Sequence, residues 1–109
     1  MELLEWTRQI SQHRFCLLEV NWEKLELVLD EQQGDFVKRL RREYPCLSED
    51  DIRIIMLLRI GISHSQIALM ENITLKSFRM RRWRIKRKMG LDCPSFTRFI
   101  LELYRDNLA

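Results

Sequence analysis

Apolar residues recur along this chain at the three- and four-residue spacing of helices that bury one face. Leu3, Trp6, Ile10, His13 and Leu17 form one such seam and predict a helix over 2–18. Asn21 is placed to cap a second helix, from Trp22 to about Asp30, with Trp22, Leu25, Val28 and Leu29 apolar. After Gly34, a third helix is predicted from about Asp35 to Tyr44, with Phe36, Val37 and Leu40 inward and Lys38, Arg39, Arg41 and Arg42 outward. Pro45 stops it.

The strongest punctuation follows. Ser48 and Asp51 make a near capping box ahead of the run IRIIMLLRI. Ile52, Ile54, Met56, Leu58 and Ile60 also alternate as a strand would. The cap, the length and Gly61 as a C′ residue favour a helix, apolar on most sides and therefore central. Ser63 with Gln66 is a second capping box, opening a short helix over 64–71. Thr74 caps a longer helix over 75–89, which Gly90 ends. Pro94 and Ser95 open a last helix from Phe96 to about Asn107, with Phe96, Phe99, Ile100, Leu103 and Tyr104 apolar.

Composition narrows the class. The chain has 109 residues and is 46% hydrophobic, enough for one domain with a core of its own. Three glycines and two prolines are too few for the turns of a sandwich or barrel, so the expected fold is all-α. The expected organisation is an N-terminal helical segment over 1–20, for oligomerisation or linkage, and a helical domain over 21–109. Cys16, Cys46 and Cys93 are odd in number and widely spaced, which argues against a disulfide framework and suits a reducing compartment. His13 and Cys16 alone do not make a metal site. No apolar run approaches the roughly 20 residues of a membrane span. Glu2 and Glu5 stand where a signal peptide carries positive charge, so a cytoplasmic protein is expected. No nucleophile–base pair, metal cluster or phosphate-cradling glycine loop is evident. The expectation is a non-enzyme with no cofactor and no small-molecule substrate.

Charge changes the picture most. The net charge is +3, but residues 1–35 carry −5 and residues 36–109 carry +8. Lys76, Arg79, Arg81, Arg82, Arg84, Lys86, Arg87 and Lys88 follow one another with no acid between them. They fall on the second of two helices joined only by Asn72-Ile73-Thr74, the pattern of a helix-turn-helix. On a wheel of about 100° per residue, Leu75, Phe78, Ile85 and Met89 gather toward the core. Lys76, Met80, Trp83 and Arg87 gather opposite, flanked by Arg79 and Arg84. A solvated face has little reason to display Met and Trp among its cations. A face pressed on DNA does, since apolar groups meet thymine methyls and sugars while cations take phosphate or guanine.

The residues that carry this pattern also resemble the LuxR/GerE-type effector domain. Leu47-Ser48 with Asp51, then Gly61-Ile62-Ser63-His64-Ser65-Gln66-Ile67-Ala68, then Ile73-Thr74 with Ser77-Phe78-Arg79, then Ile85 and Lys88-Met89-Gly90-Leu91 keep that family's register without gaps. The wording around Tyr44-Pro45 and RRWRIKRKMGL is more similar to the C-terminal domains of Bacteroidetes regulators that follow tetratricopeptide sensors. Trp22-Glu23 and Phe36 match that group as well. The resemblance covers roughly residues 21–91. It implies a bacterial, nucleoid-associated transcriptional regulator, preceded by a sensor module and in some cases membrane-anchored. It assigns base readout to Arg79, Met80 and Trp83 and phosphate contact to the Ser63-His64-Ser65 entry, whose helix N–H groups suit an anion. Lys76, Arg84 and Arg87 complete the expected phosphate contacts. Departures are Arg81 for the usual His, Ser65-Gln66 for Lys-Glu, and Phe78 for the core Val. Arg82 lies near the inward face and is expected to pair with Asp51 or Glu71.

A domain that reads few base pairs is expected to act as a homodimer on double-stranded DNA. The last helix, by the resemblance, and the seam from Leu3 to Leu17, as a short coiled coil, are the two candidate surfaces; packing of that seam on its own domain is equally open. Two other classes share the features. A sigma-factor region 4-like domain would also touch RNA polymerase, and an adaptor would dock the basic helix on an acidic protein.

Overall fold

Each helix begins where a short polar side chain can take up a free backbone N–H. The computed structural model describes residues 4, 5, 7, 8 and 20–105, and their secondary structure is all-helical. The helices are α1 (Trp22–Gln32), α2 (Phe36–Glu43), α3 (Glu49–Arg59), α4 (His64–Glu71), α5 (Leu75–Lys88) and α6 (Phe96–Glu102). Asn21, Ser48, Ser63, Thr74 and Ser95 each accept a hydrogen bond from the backbone three residues on. At Ser48 the box is reciprocal, because Asp51 also accepts the Ser48 N–H at 3.0 Å.

Helix ends are as well marked. Gly61 has φ +88°, and the Ile62 and Gly61 amides donate back to Leu57 and Leu58, a Schellman turn. Asn72 (φ 57°) and Gly90 (φ 69°) close α4 and α5 with the same pair of bonds. α2 differs. Asp35 sits at its N-cap in the left-handed region without a side-chain cap bond. Asp30, from the end of α1, reaches over and accepts the Val37 and Lys38 amides at 2.6 and 3.4 Å. Burial raises its pKa, and those two amides only partly offset this.

The alternating run after Ser48 is a helix. α3 buries Ile52, Ile54, Ile55, Met56, Leu57 and Leu58 and forms the axis of the core, with Leu25, Leu29, Phe36, Leu40, Ile67, Phe78, Ile85 and Ile100 around it. α6 and α4 pack against α3, α1 lies on α2, and α5 is held between α4 and α6. Arg41 ties the first three helices together, bonding Glu26 at 2.9 Å and Glu49 at 2.7 Å.

Two expectations are corrected. Leu75, expected inward, is 51% exposed. It sits at the first turn of α5, before the helix reaches the core, and some 70° from the Phe78–Ile85 direction on the wheel. The last helix, expected to reach about residue 107, ends at Glu102. Leu103 is extended, Tyr104 takes φ 63°, and the tyrosine ring turns in against Phe36 at 5.8 Å. Arg59 secures this ending. It is buried, and its Nη1 donates to the carbonyls of Ile100 and Leu103 while Nε and Nη2 donate to Gln33. Guanidinium N–H groups thus cap the free carbonyls of a helix C-terminus.

Leu4, Glu5, Thr7 and Arg8 are helical, and Thr7 Oγ1 donates to the Ile60 carbonyl at 3.0 Å. The seam residues Leu3, Trp6, Ile10, His13 and Leu17, together with Cys16, lie outside the described residues.

Candidate nucleic-acid interface

α5 is the site's scaffold, and its own sequence sets its rotation. Phe78 and Ile85 are buried two turns apart, so the opposite face must point outward. Lys76, Arg79, Met80, Trp83, Arg84 and Arg87 are all exposed on or beside that face. Met80 and Trp83 are 46% and 50% exposed and stand together among the cations of that face. The Arg87 guanidinium lies 4.9 Å from the Trp83 ring centroid, a cation–π contact that stiffens the stripe.

A second, opposite charge pattern holds the helix in place. Arg81 pairs with Glu71 of α4 at 2.9 Å, and Lys88 pairs with Asp51 of α3 at 2.7 Å. Both carboxylates are nearly buried, at 6% and 8% side-chain exposure. Burial raises the Glu71 pKa more than Arg81 lowers it, and Glu71 Oε2 has no partner. At Asp51 burial also raises the pKa, but the bonds from Lys88 and Ser48 outweigh it and leave it lowered. No ion pair within 4 Å joins Lys76, Arg79, Arg84 or Arg87 to an acid among the described residues. Arg81 and Lys88 are thus neutralised by carboxylates, whereas the exposed Lys76, Arg79, Arg84 and Arg87 are left to solvent.

This corrects the expected pairing of Arg82. Its two supposed partners belong to Arg81 and Lys88, which lie near 240° and 220° on the wheel, whereas Arg82 lies near 340°, on the opposite flank. There Arg82 lies over the Phe78 ring, 5.3 Å from its centroid, and its buried Nε has no hydrogen-bond partner.

The α4 entry divides too. Ser63 and Ser65 are exposed. His64 turns inward instead: its Nε2 is 2.8 Å from Thr97 Oγ1, and its ring packs 5.7 Å from that of Phe78. Burial, and then Arg82, push its pKa below the usual value. That side chain is engaged with α6 and does not present itself as a phosphate contact. Among the described residues, no three His, Cys, Asp or Glu side chains converge as a metal site would need, and no helix is long and apolar enough to cross a membrane. No family model, curated protein or solved structure matches the chain.

Proposed function

We propose that this chain binds double-stranded DNA as the sequence-specific domain of a transcriptional regulator. α4 and α5 act as a helix-turn-helix, with α5 in the major groove. The observation that carries the reading is the outward face of α5: cations with no acid beside them, interleaved with exposed Met80 and Trp83, on a helix held by inward ion pairs. A groove about 12 Å wide accepts such a helix. The resemblance of residues 21–91 to LuxR/GerE-type effector domains supports the same reading.

Affinity then comes mainly from phosphates. If about six are engaged, log K falls with log salt at a slope near −5. Arg79 is assigned to a guanine edge, with Met80 and Trp83 in apolar contact. Binding as a homodimer, through α6 or through the N-terminal seam, would double the reading length. The test is retention of a duplex in a mobility-shift assay, followed by Arg79→Ala on the duplex that selection prefers. A loss of roughly 1–3 kcal/mol on that duplex, with one base position relaxed, supports the assignment. Equal loss on random duplex makes Arg79 a phosphate contact only.

One observation favours an alternative. Leu69, Ile73 and Leu75 are all exposed around the turn before α5, an apolar edge that suits a protein contact in an adaptor whose basic helix docks an acidic partner. No retained duplex at moderate salt, with capture of an acidic partner, would establish that reading instead.

A further inference from the structure

Arg79, Arg82 and Lys86 succeed one another at three- and four-residue spacing, so they share a ridge along one flank of α5. Together with Trp83, Pro94 and Phe96 they line a cavity of about 200 Å³ between α5 and the start of α6. No carboxylate lines it. Lys86 Nζ is turned to the Cys93 carbonyl. Arg82 is the anomaly. A guanidinium usually satisfies its fork of donors, yet the Arg82 Nε–H is buried without an acceptor. Burial lowers its pKa, and the nearby Arg79 charge lowers it further. The cavity thus concentrates positive charge against an apolar wall of Trp83, Pro94 and Phe96. A bound oxyanion would give the cavity-lining guanidinium a charged acceptor and relieve the repulsion between the two arginines.

We propose that this cavity is a phosphate clamp: the Arg82 guanidinium donates to a phosphate oxygen, Arg79 on the same ridge adds its charge, and the exposed Trp83 covers the attached sugar. The proposal rests on the DNA-binding reading, in which the phosphate belongs to the duplex strand bordering the groove that α5 enters. The shape favours phosphate over a lone carboxylate, because the aromatic wall beside the cations suits a sugar-bearing anion.

The test uses the full chain and Arg82→Met, which keeps the stem over Phe78 and removes charge and donors. Binding of a random duplex and of the selected duplex is measured across a salt series. Loss of one phosphate contact should reduce the slope of log K against log salt by about 0.9. The same slope corresponds to roughly eightfold weaker binding at 0.1 M salt, equal on both duplexes, vanishing on extrapolation to 1 M. An unchanged slope in a variant with wild-type melting overturns the proposal. A second arm needs no variant: the Arg82 Nε–H and Trp83 indole resonances are followed while inorganic phosphate, and separately a thymidine dinucleotide, is added. Both ligands should shift the Arg82 resonance, and the dinucleotide should also shift Trp83. A shift with phosphate in a chain that retains no duplex would keep the clamp, assign it to a free phosphorylated ligand, and remove the DNA reading. No shift with either ligand overturns the clamp while leaving duplex binding to stand on its own assay.

Discussion

Asp51 joins two functions that can be separated by substitution. Its carboxylate accepts the Ser48 amide, closing the α3 capping box, and takes Lys88 Nζ at 2.7 Å from the last turn of α5. Losing the cap acceptor costs about 1 kcal/mol. Losing a negative charge in a first helical turn costs about 0.3–1 kcal/mol. Lys88 is 45% exposed, so solvent screening limits that ion pair to about 0.5–1 kcal/mol. Asp51→Ala should therefore destabilise by roughly 2–3 kcal/mol. Asp51→Asn keeps a cap acceptor and should lose about 1–1.5 kcal/mol. Lys88→Met should lose only the pair. Urea unfolding of the three variants and of Asp51→Asn with Lys88→Met gives a coupling energy, expected near 0.5–1 kcal/mol and shrinking in high salt. Because the Asp51 pKa is lowered on folding, its contribution is complete above the unfolded value of 3.8 and is lost as pH falls through the folded one. The gap between wild type and Asp51→Asn should close in acid. Equal costs for Asp51→Ala and Asp51→Asn, or zero coupling with Lys88, would refute the reasoning.

Three further outcomes are expected. Arg59→Met strands the carbonyls of Ile100 and Leu103 but removes a buried cation whose pKa burial, with a smaller push from Arg105, lowers to about 10. The bonds should win, with a loss of roughly 2–4 kcal/mol in urea unfolding, and a neutral variant would show that desolvation cancels them. Asp30→Asn should lie within about 0.5 kcal/mol of wild type, since burial already disfavours the charge, while Asp30→Ala should cost about 1–2 kcal/mol by orphaning the Val37 amide; similar costs for both would mean that the charge, not the acceptor, matters. His64 has a folded pKa below its unfolded value of 6.5, so its contribution to stability is complete above 6.5 and declines as pH falls through the folded pKa. Unfolding at pH 7 and 5 should show a drop that His64→Gln reduces, and an imidazole titrating at or above 6.5 by NMR would contradict the inward packing.

What the sequence made legible was local. Caps at Asn21, Ser48, Ser63, Thr74 and Ser95, and left-handed closures at Gly61 and Gly90, are written within a few residues of the ends they define, and the all-α fold follows from them. Periodicity also set the rotation of α5, because Phe78 and Ile85 leave only one face for Met80 and Trp83. The misses were contacts across the fold. Asp30 caps a helix it does not belong to, and Arg59 reaches carbonyls more than forty residues away. The sequence offers Arg82 acids of the right charge, but only the placement of α3 and α4 decides that Arg81 and Lys88 face them instead. Tyr104 leaves the helical path for a reason that no helical periodicity contains: its ring meets Phe36 edge-on and lies under the Arg39 guanidinium.

The two ion pairs on the inner side of α5 come from residues seven apart, one fastened to α4 and the other to α3. They add to the hold of buried Phe78 and Ile85 on the rotation and position of the rod, and neither uses a residue of the Met80–Trp83 face. Positions 76, 79, 80, 83, 84 and 87 take no part in either pair, so side chains grafted there should leave the frame where it was.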